Sequence, residues 1–189
     1  IFVGSANDNR AITIEVSPNN FGVYEVENSN QLICTNHFQS EAYANDEKNT
    51  KHKAESHSEY RYERIKELFN ENEKITPQIA VNILRNKQGL HDASIGYGNE
   101  KALNQLLAHH SVVFKPEKRL VWVSSNPYQL GAYVAYNLNT VFSEGPENNE
   151  AKPLNNKKLT IEKDPFQYTE AYLNYEKYRV LSKQVEKAI

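Results

Sequence analysis

The sequence has no methionine, one cysteine (Cys34) and one tryptophan among 189 residues. A single cysteine excludes an internal disulfide and leaves the redox compartment open. Without methionine the chain does not carry its own initiator, and Ile1-Phe2-Val3-Gly4 reads like the interior of a strand. Residue 1 is therefore expected to be an excision point, with any targeting peptide upstream and the localisation unassigned. Also lacking is an apolar run of the roughly 18 to 20 residues that a membrane span requires. With a mean hydropathy of −0.75, a transmembrane helix is excluded and a membrane is not an expected partner. Charge of one sign is missing too, since 22 Lys and Arg stand against 24 Asp and Glu for a net −2. No basic field exists to hold nucleic acid by counterion release, so nucleic acid is not expected as a partner either.

What is present, 39% hydrophobic and 24% charged residues, points to one globular domain of ordinary size. Ile12, Ile14 and Val16 alternate with Thr13 and Glu15, the period-2 pattern of a half-buried strand. Phe21 to Val26 and Gln31 to Asn36 follow after polar turns, which predicts a three-strand antiparallel meander over 10–38. Residues 39–57 are charged, Asn-rich and poor in aliphatics, the composition of a surface excursion. Ser56 with Glu59 fits a capping box, and Arg61, Ile65 and Leu68 share one face of a helix over about 57–70. Thr76-Pro77 opens a second helix near 76–86, with Ile79, Ala80, Ile83 and Leu84 as its apolar stripe. Ser111 to Phe114 and Arg119 to Val123 form a hairpin, Gly131 to Leu138 adds a strand, and Tyr168, Tyr172 and Tyr175 mark an aromatic-faced helix in the tail. The strand, helix, strand order predicts that the strands of 10–36 and 106–138 share one sheet, with both helices on one of its faces.

The chemistry-bearing residues are few. The six histidines form no HExxH and no i, i+4 pair, and no CxxC exists, so neither a metal nor another cofactor is expected. Gly96-Tyr97-Gly98 lacks the third glycine and the Lys-Ser/Thr of a phosphate cradle. Cys34 alternates with Leu32 and Asn36 on one strand face with no helix N-terminus to lower its pKa, the setting of a buried structural thiol. Asn36-His37-Phe38 stands where a strand ends and a polar excursion begins, a place that delivers side chains to a pocket. An Asn amide there is either a fixed neutral donor for a developing oxyanion or a turn-stabilising group.

One ordered series of segments adds to this. Ile14-Glu15-Val16-Ser17-Pro18, Gly22-Val23-Tyr24, Thr35-Asn36-His37-Phe38, a variable loop, Ser58 to Arg64 opening a helix, then Ser111 to Phe114 and Leu120 to Val123 resembles the C-terminal part of the acyl-coenzyme A:6-aminopenicillanic acid (isopenicillin N) acyltransferase-like family. The resemblance covers about residues 1–138. It implies an α+β fold that is part of a four-layer αββα N-terminal nucleophile hydrolase sandwich, mainly antiparallel, to which the tyrosine spacing adds a C-terminal helical tail outside the resemblance. It also implies self-cleavage that frees a cysteine whose thiol attacks an amide or thioester while its own α-amine serves as base.

Residue 1 is Ile and the amine of Cys34 is locked in a peptide bond, so the expected protein is a fragment without the nucleophile-bearing segment and inactive alone. By the same resemblance Asn36 is the catalytic oxyanion amide. Arg61, the basic position at the helix start, orients a substrate carboxylate or braces the Asn36 strand end, or else is an ordinary i, i+4 surface partner for neighbouring acids. His37 joins Arg61 as a candidate substrate-binding residue, with a structural role the stronger assignment. The implied organisation is 1–142 as the C-terminal portion of the αββα domain, 143–164 as a polar linker or surface loop, and 165–189 as an amphipathic helix. Expected partners are a small-molecule amide or acyl-thioester substrate and the missing N-terminal segment, with homo-oligomerisation left open. The competing expectation is a non-catalytic structural or interaction domain on the same sandwich.

Overall fold

The computed structural model describes residues 1–5, 7–27, 29–142 and 153–188. Composition points to one domain. The chain instead forms two compact units, Ile1–Ile79 with Asn86–Gln105 and Ala80–Arg85 with Leu106–Ile189.

In the first unit, β1 (Phe2–Ser5), β2 (Arg10–Ser17) and β3 (Asn20–Tyr24) make an antiparallel sheet in the order β1-β2-β3. The expected third strand, Gln31 to Asn36, joins no ladder, and β1 occupies the other edge of β2. Side chains of β2, not its backbone, hold this segment. Thr13 Oγ1 lies 2.6 Å from Cys34 Sγ, and the Glu15 carboxylate accepts from the backbone N–H of Gln39 at 2.7 Å and of Ser40 at 2.8 Å. The strand alternation is therefore real but reversed in sense. Thr13 and Glu15 are buried, while Val16, Phe21 and Val23 on the opposite face are 55%, 59% and 45% exposed.

Gly22 pairs with Glu15 across the sheet. A Cβ on Gly22 would stand 2.1 Å from Ser40 Oγ, so only glycine lets residues 39–42 settle against the strand.

Residues 39–57 contain more structure than an excursion. A 3-10 turn spans Glu41–Tyr43 and α1 spans Glu47–Glu55, capped by the Asp46 carboxylate accepting from Asn49 N–H at 2.7 Å. The low aliphatic content reflects a helix that buries none of its side chains. Next comes α2 (Ser58–Asn70), whose N-cap is His57, without a side-chain cap bond. The Ser56/Glu59 capping box is not formed, because Ser56 Oγ instead accepts from Ser58 N–H at 3.3 Å. The buried Arg64 of α2 pairs with Glu67 at 2.9 Å and Asp92 at 2.6 Å.

The second unit holds β4 (Val112–Lys115), β5 (Leu120–Ser124) and β6 (Tyr133–Asn137), again antiparallel and in sequence order. The strands of 10–36, β2 and β3, therefore lie with β1 in one three-stranded sheet and those of 106–138 in a separate one, not in a shared sheet. Both edges of β5 are taken by its own hairpin neighbours, and the outer edge of β6 bridges to Asn155 and Ile161. α3 (Pro77–Leu84) lays Val81 against Val113, Trp122, Tyr133 and Ala135, while α2 belongs to the other unit. Buried Arg85 donates to the carbonyls of Gln129, Gly131 and Glu162 at 2.8, 2.7 and 3.0 Å.

A short α4 (Leu138–Val141) follows β6. Residues 143–152 of the polar stretch 143–164, and residue 189 of the tail, lie outside the described residues. Asp164 caps a 3-10 turn over Pro165–Tyr168, and the tail helix α5 runs over Glu170–Ala188 with Tyr172 buried.

Gly22→Ala is expected to destabilise the first unit by about 1–3 kcal/mol, the usual cost of overpacking. An unchanged denaturation midpoint would contradict the tight seat of Ser40.

Candidate active site

The segment 34–38 leaves the face of β2 and carries the candidate residues to the rim of a cleft of about 960 Å³. Ile1, Phe2, Cys34, Asn36, His37 and His52 are among its lining residues, all from the first unit. Arg61 does not line the cleft. It reaches across from the first turn of α2 and donates from Nη2 to Asn36 Oδ1 at 2.9 Å, with Nη1 donating to the Glu100 carbonyl at 2.6 Å.

A guanidinium has five donors and no acceptor. The Asn36 carbonyl oxygen must therefore be the atom facing Arg61, which puts the Nδ2 amino group on the other branch. Among the described residues no acceptor takes the Nδ2 hydrogens. Burial pulls the Arg61 pKa down while the Glu100 carboxylate pushes it up, and the group stays a cation at any working pH. A cation on Oδ1 polarises the amide and strengthens Nδ2 as a donor. Both are candidate residues from the sequence, and the structure brings them together.

His37 is held differently. Its Nδ1 lies 2.9 Å from Ser58 Oγ and 3.1 Å from Thr35 Oγ1, and Ser58 Oγ also donates to Thr35 Oγ1 at 3.1 Å. Ser58 is fully buried. Burial is the main cause that pushes the His37 pKa below the ordinary imidazole range, with the Lys53 charge adding to it. Nδ1, facing both hydroxyls, ties the segment 34–38 to the start of α2.

Cys34 is half-buried against Thr13, and burial pushes its thiol pKa up. It lacks the electropositive setting that activates a nucleophile.

Thr35, Ser58 and Glu15 stand in the segments that carry the resemblance, but no role was assigned to any of them from sequence. Glu15 sits at a strand position where alternation with isoleucines ordinarily means solvent, so its burial had no local signal. Among the described residues no three His, Cys, Asp or Glu side chains gather as a metal site, and no helix is long and apolar enough to cross a membrane.

A cleft lined by an amide whose oxygen is held by a guanidinium has the type of neutral donor that reactions developing charge on a carbonyl oxygen use, the step common to acyl transfer and amide hydrolysis. The sequence model of the acyl-coenzyme A:6-aminopenicillanic acid acyl-transferase family matches residues 1–127, and the chain belongs to that family. The match includes Asn36, His37 and Arg61, and membership assigns acyltransferase or hydrolase chemistry in general. Comparison with curated proteins and with solved structures gives no match.

Cys34 is expected to react with iodoacetamide more slowly than an exposed cysteine, with a rate that keeps rising as pH passes the ordinary thiol range. The raised pKa has this sign because less thiolate is present at a given pH. Rapid alkylation at neutral pH, or stoichiometric acylation of Cys34 by a thioester, would contradict it.

Proposed function

We propose that this chain supplies the oxyanion-binding half of an acyltransferase or amide hydrolase that acts on an amide or acyl-thioester bond through a cysteine N-terminal nucleophile. The hydrogen bond from Arg61 to Asn36 Oδ1 carries this reading, because it leaves Nδ2 as the polarised donor at the cleft rim. In the proposed reaction a thiolate forms a C–S bond with the substrate carbonyl, and the oxygen takes up the electron pair and receives the Asn36 N–H. Collapse then expels a protonated amine or the thiol of the donor. An acceptor amine or water takes the acyl group from sulfur in the second half-reaction, which regenerates the thiol.

The only cysteine of the 189 residues is Cys34. Its amine is in a peptide bond and its pKa is raised, so the nucleophile and its α-amine base are assigned to a segment outside residues 1–189, released by self-cleavage. Support for an αββα sandwich comes from the first sheet, whose apolar face, Val16, Phe21 and Val23, is left exposed and is suited to a second sheet layer. Arg61 is read here as the brace of Asn36 and His37 as a positioning residue. The same absence of an activated nucleophile favours the second reading, a non-catalytic domain that keeps the scaffold.

Asn36→Ala in the active protein is expected to lower kcat for acyl-coenzyme A thioester cleavage by about 10² to 10³, the usual loss for one oxyanion donor, with KM nearly unchanged. A turn-stabilising Asn36 predicts instead a loss near 1 kcal/mol of stability and intact turnover per folded molecule. Single-turnover acylation and thermal melting of the same variant separate the two.

A further inference from the structure

We propose that Glu15 is a positioning residue for Asn36, acting through the backbone of Gln39 and Ser40; this rests on the reading of Asn36 as the oxyanion donor. Glu15 is 5% exposed, and both of its carboxylate oxygens accept backbone N–H groups, from Gln39 at 2.7 Å and from Ser40 at 2.8 Å. Two residues back on β2 and on the same face, Thr13 holds Cys34. Residues 34–40 thus form an arch with both feet on one strand, and Asn36 lies within its span.

The descending limb is fixed a second time, since Asn49 Oδ1 accepts from Phe38 N–H and Asn49 Nδ2 donates to the Phe38 carbonyl, each at 3.0 Å. The Thr13 foot is a contact between neutral groups. The Glu15 foot is charge-assisted and accepts from two successive N–H groups, about twice as strong per bond as a neutral pair. The height of the arch decides whether Asn36 Oδ1 meets Arg61 and where Nδ2 points, and a displacement of the order of 1 Å is enough to cost about 10² in rate.

Glu15→Gln is the informative substitution. It preserves shape but retains one acceptor oxygen, and its amino group would face an N–H. In the active protein the variant is expected to remain folded by thermal melting, to shift the Asn36 side-chain amide resonances, and to lower kcat for acetyl-coenzyme A cleavage by about 10 to 10² with KM unchanged. Because the effect passes through Asn36, the Glu15→Gln/Asn36→Ala double variant should be no slower than Asn36→Ala alone. A purely structural role for Glu15 predicts lowered melting with unmoved Asn36 resonances, or losses that add in the double variant, and either result overturns the proposal. If Asn36→Ala by itself leaves kcat intact, the oxyanion reading falls and the role of Glu15 falls with it, an outcome distinct from additive losses. Should Glu15→Gln fail to fold, Glu15→Asp, which retains the charge but shortens the reach, carries the same measurements.

Discussion

A buried carboxylate on the inner face of the first sheet organises the half of the molecule that bears the site. Leaving the Glu15 side chain unsolvated would cost several kcal/mol, and the chain offsets this by folding residues 39–40 so that two N–H groups meet it. Hydrogen bonds to charged groups each contribute about 1.5–3 kcal/mol, enough to outweigh the small gain from one more short strand pairing at an edge. This is the physical reason that residues 31–36 lie over the sheet and do not extend it. Gly22 is the companion requirement, since any side chain there would occupy the place of Ser40.

The local elements were legible where their cause is local. The hairpin of 111–123, Thr76-Pro77 and the apolar stripe of α3 depend on strand pattern, capping and helical period, and β4–β5 and α3 follow them. Burial was less legible, because period 2 identifies a strand without saying which face is inside. Thr13 and Glu15 are inside by virtue of partners that come 21 to 25 residues later, and nothing in the strand itself announces them. The separation into two sheets likewise depends on which edges remain open once the hairpins have formed, and this is a tertiary outcome.

The site divides in the same way. Asn36 was marked by its position at a strand end, and Arg61 by the resemblance. Their direct contact turns two separate expectations into one geometric unit. The framework around them, Thr35, Ser58 and Glu15, uses small or acidic side chains whose roles exist only when segments 20 or more residues apart are brought together. Family membership gives the class of chemistry in general, and the contact of Arg61 with Asn36 is the observation on which the proposed contribution of this chain rests.

That account stands on where Asn36 Nδ2 points when an acyl group is present. A crystal structure of the active protein carrying a stable tetrahedral adduct on its nucleophile measures this directly. The account predicts Nδ2 about 2.7–3.1 Å from the adduct oxygen, the range expected of an oxyanion donor, with Arg61 still on Oδ1. An adduct oxygen held by other donors, with the Asn36 amide turned away from it, would contradict it.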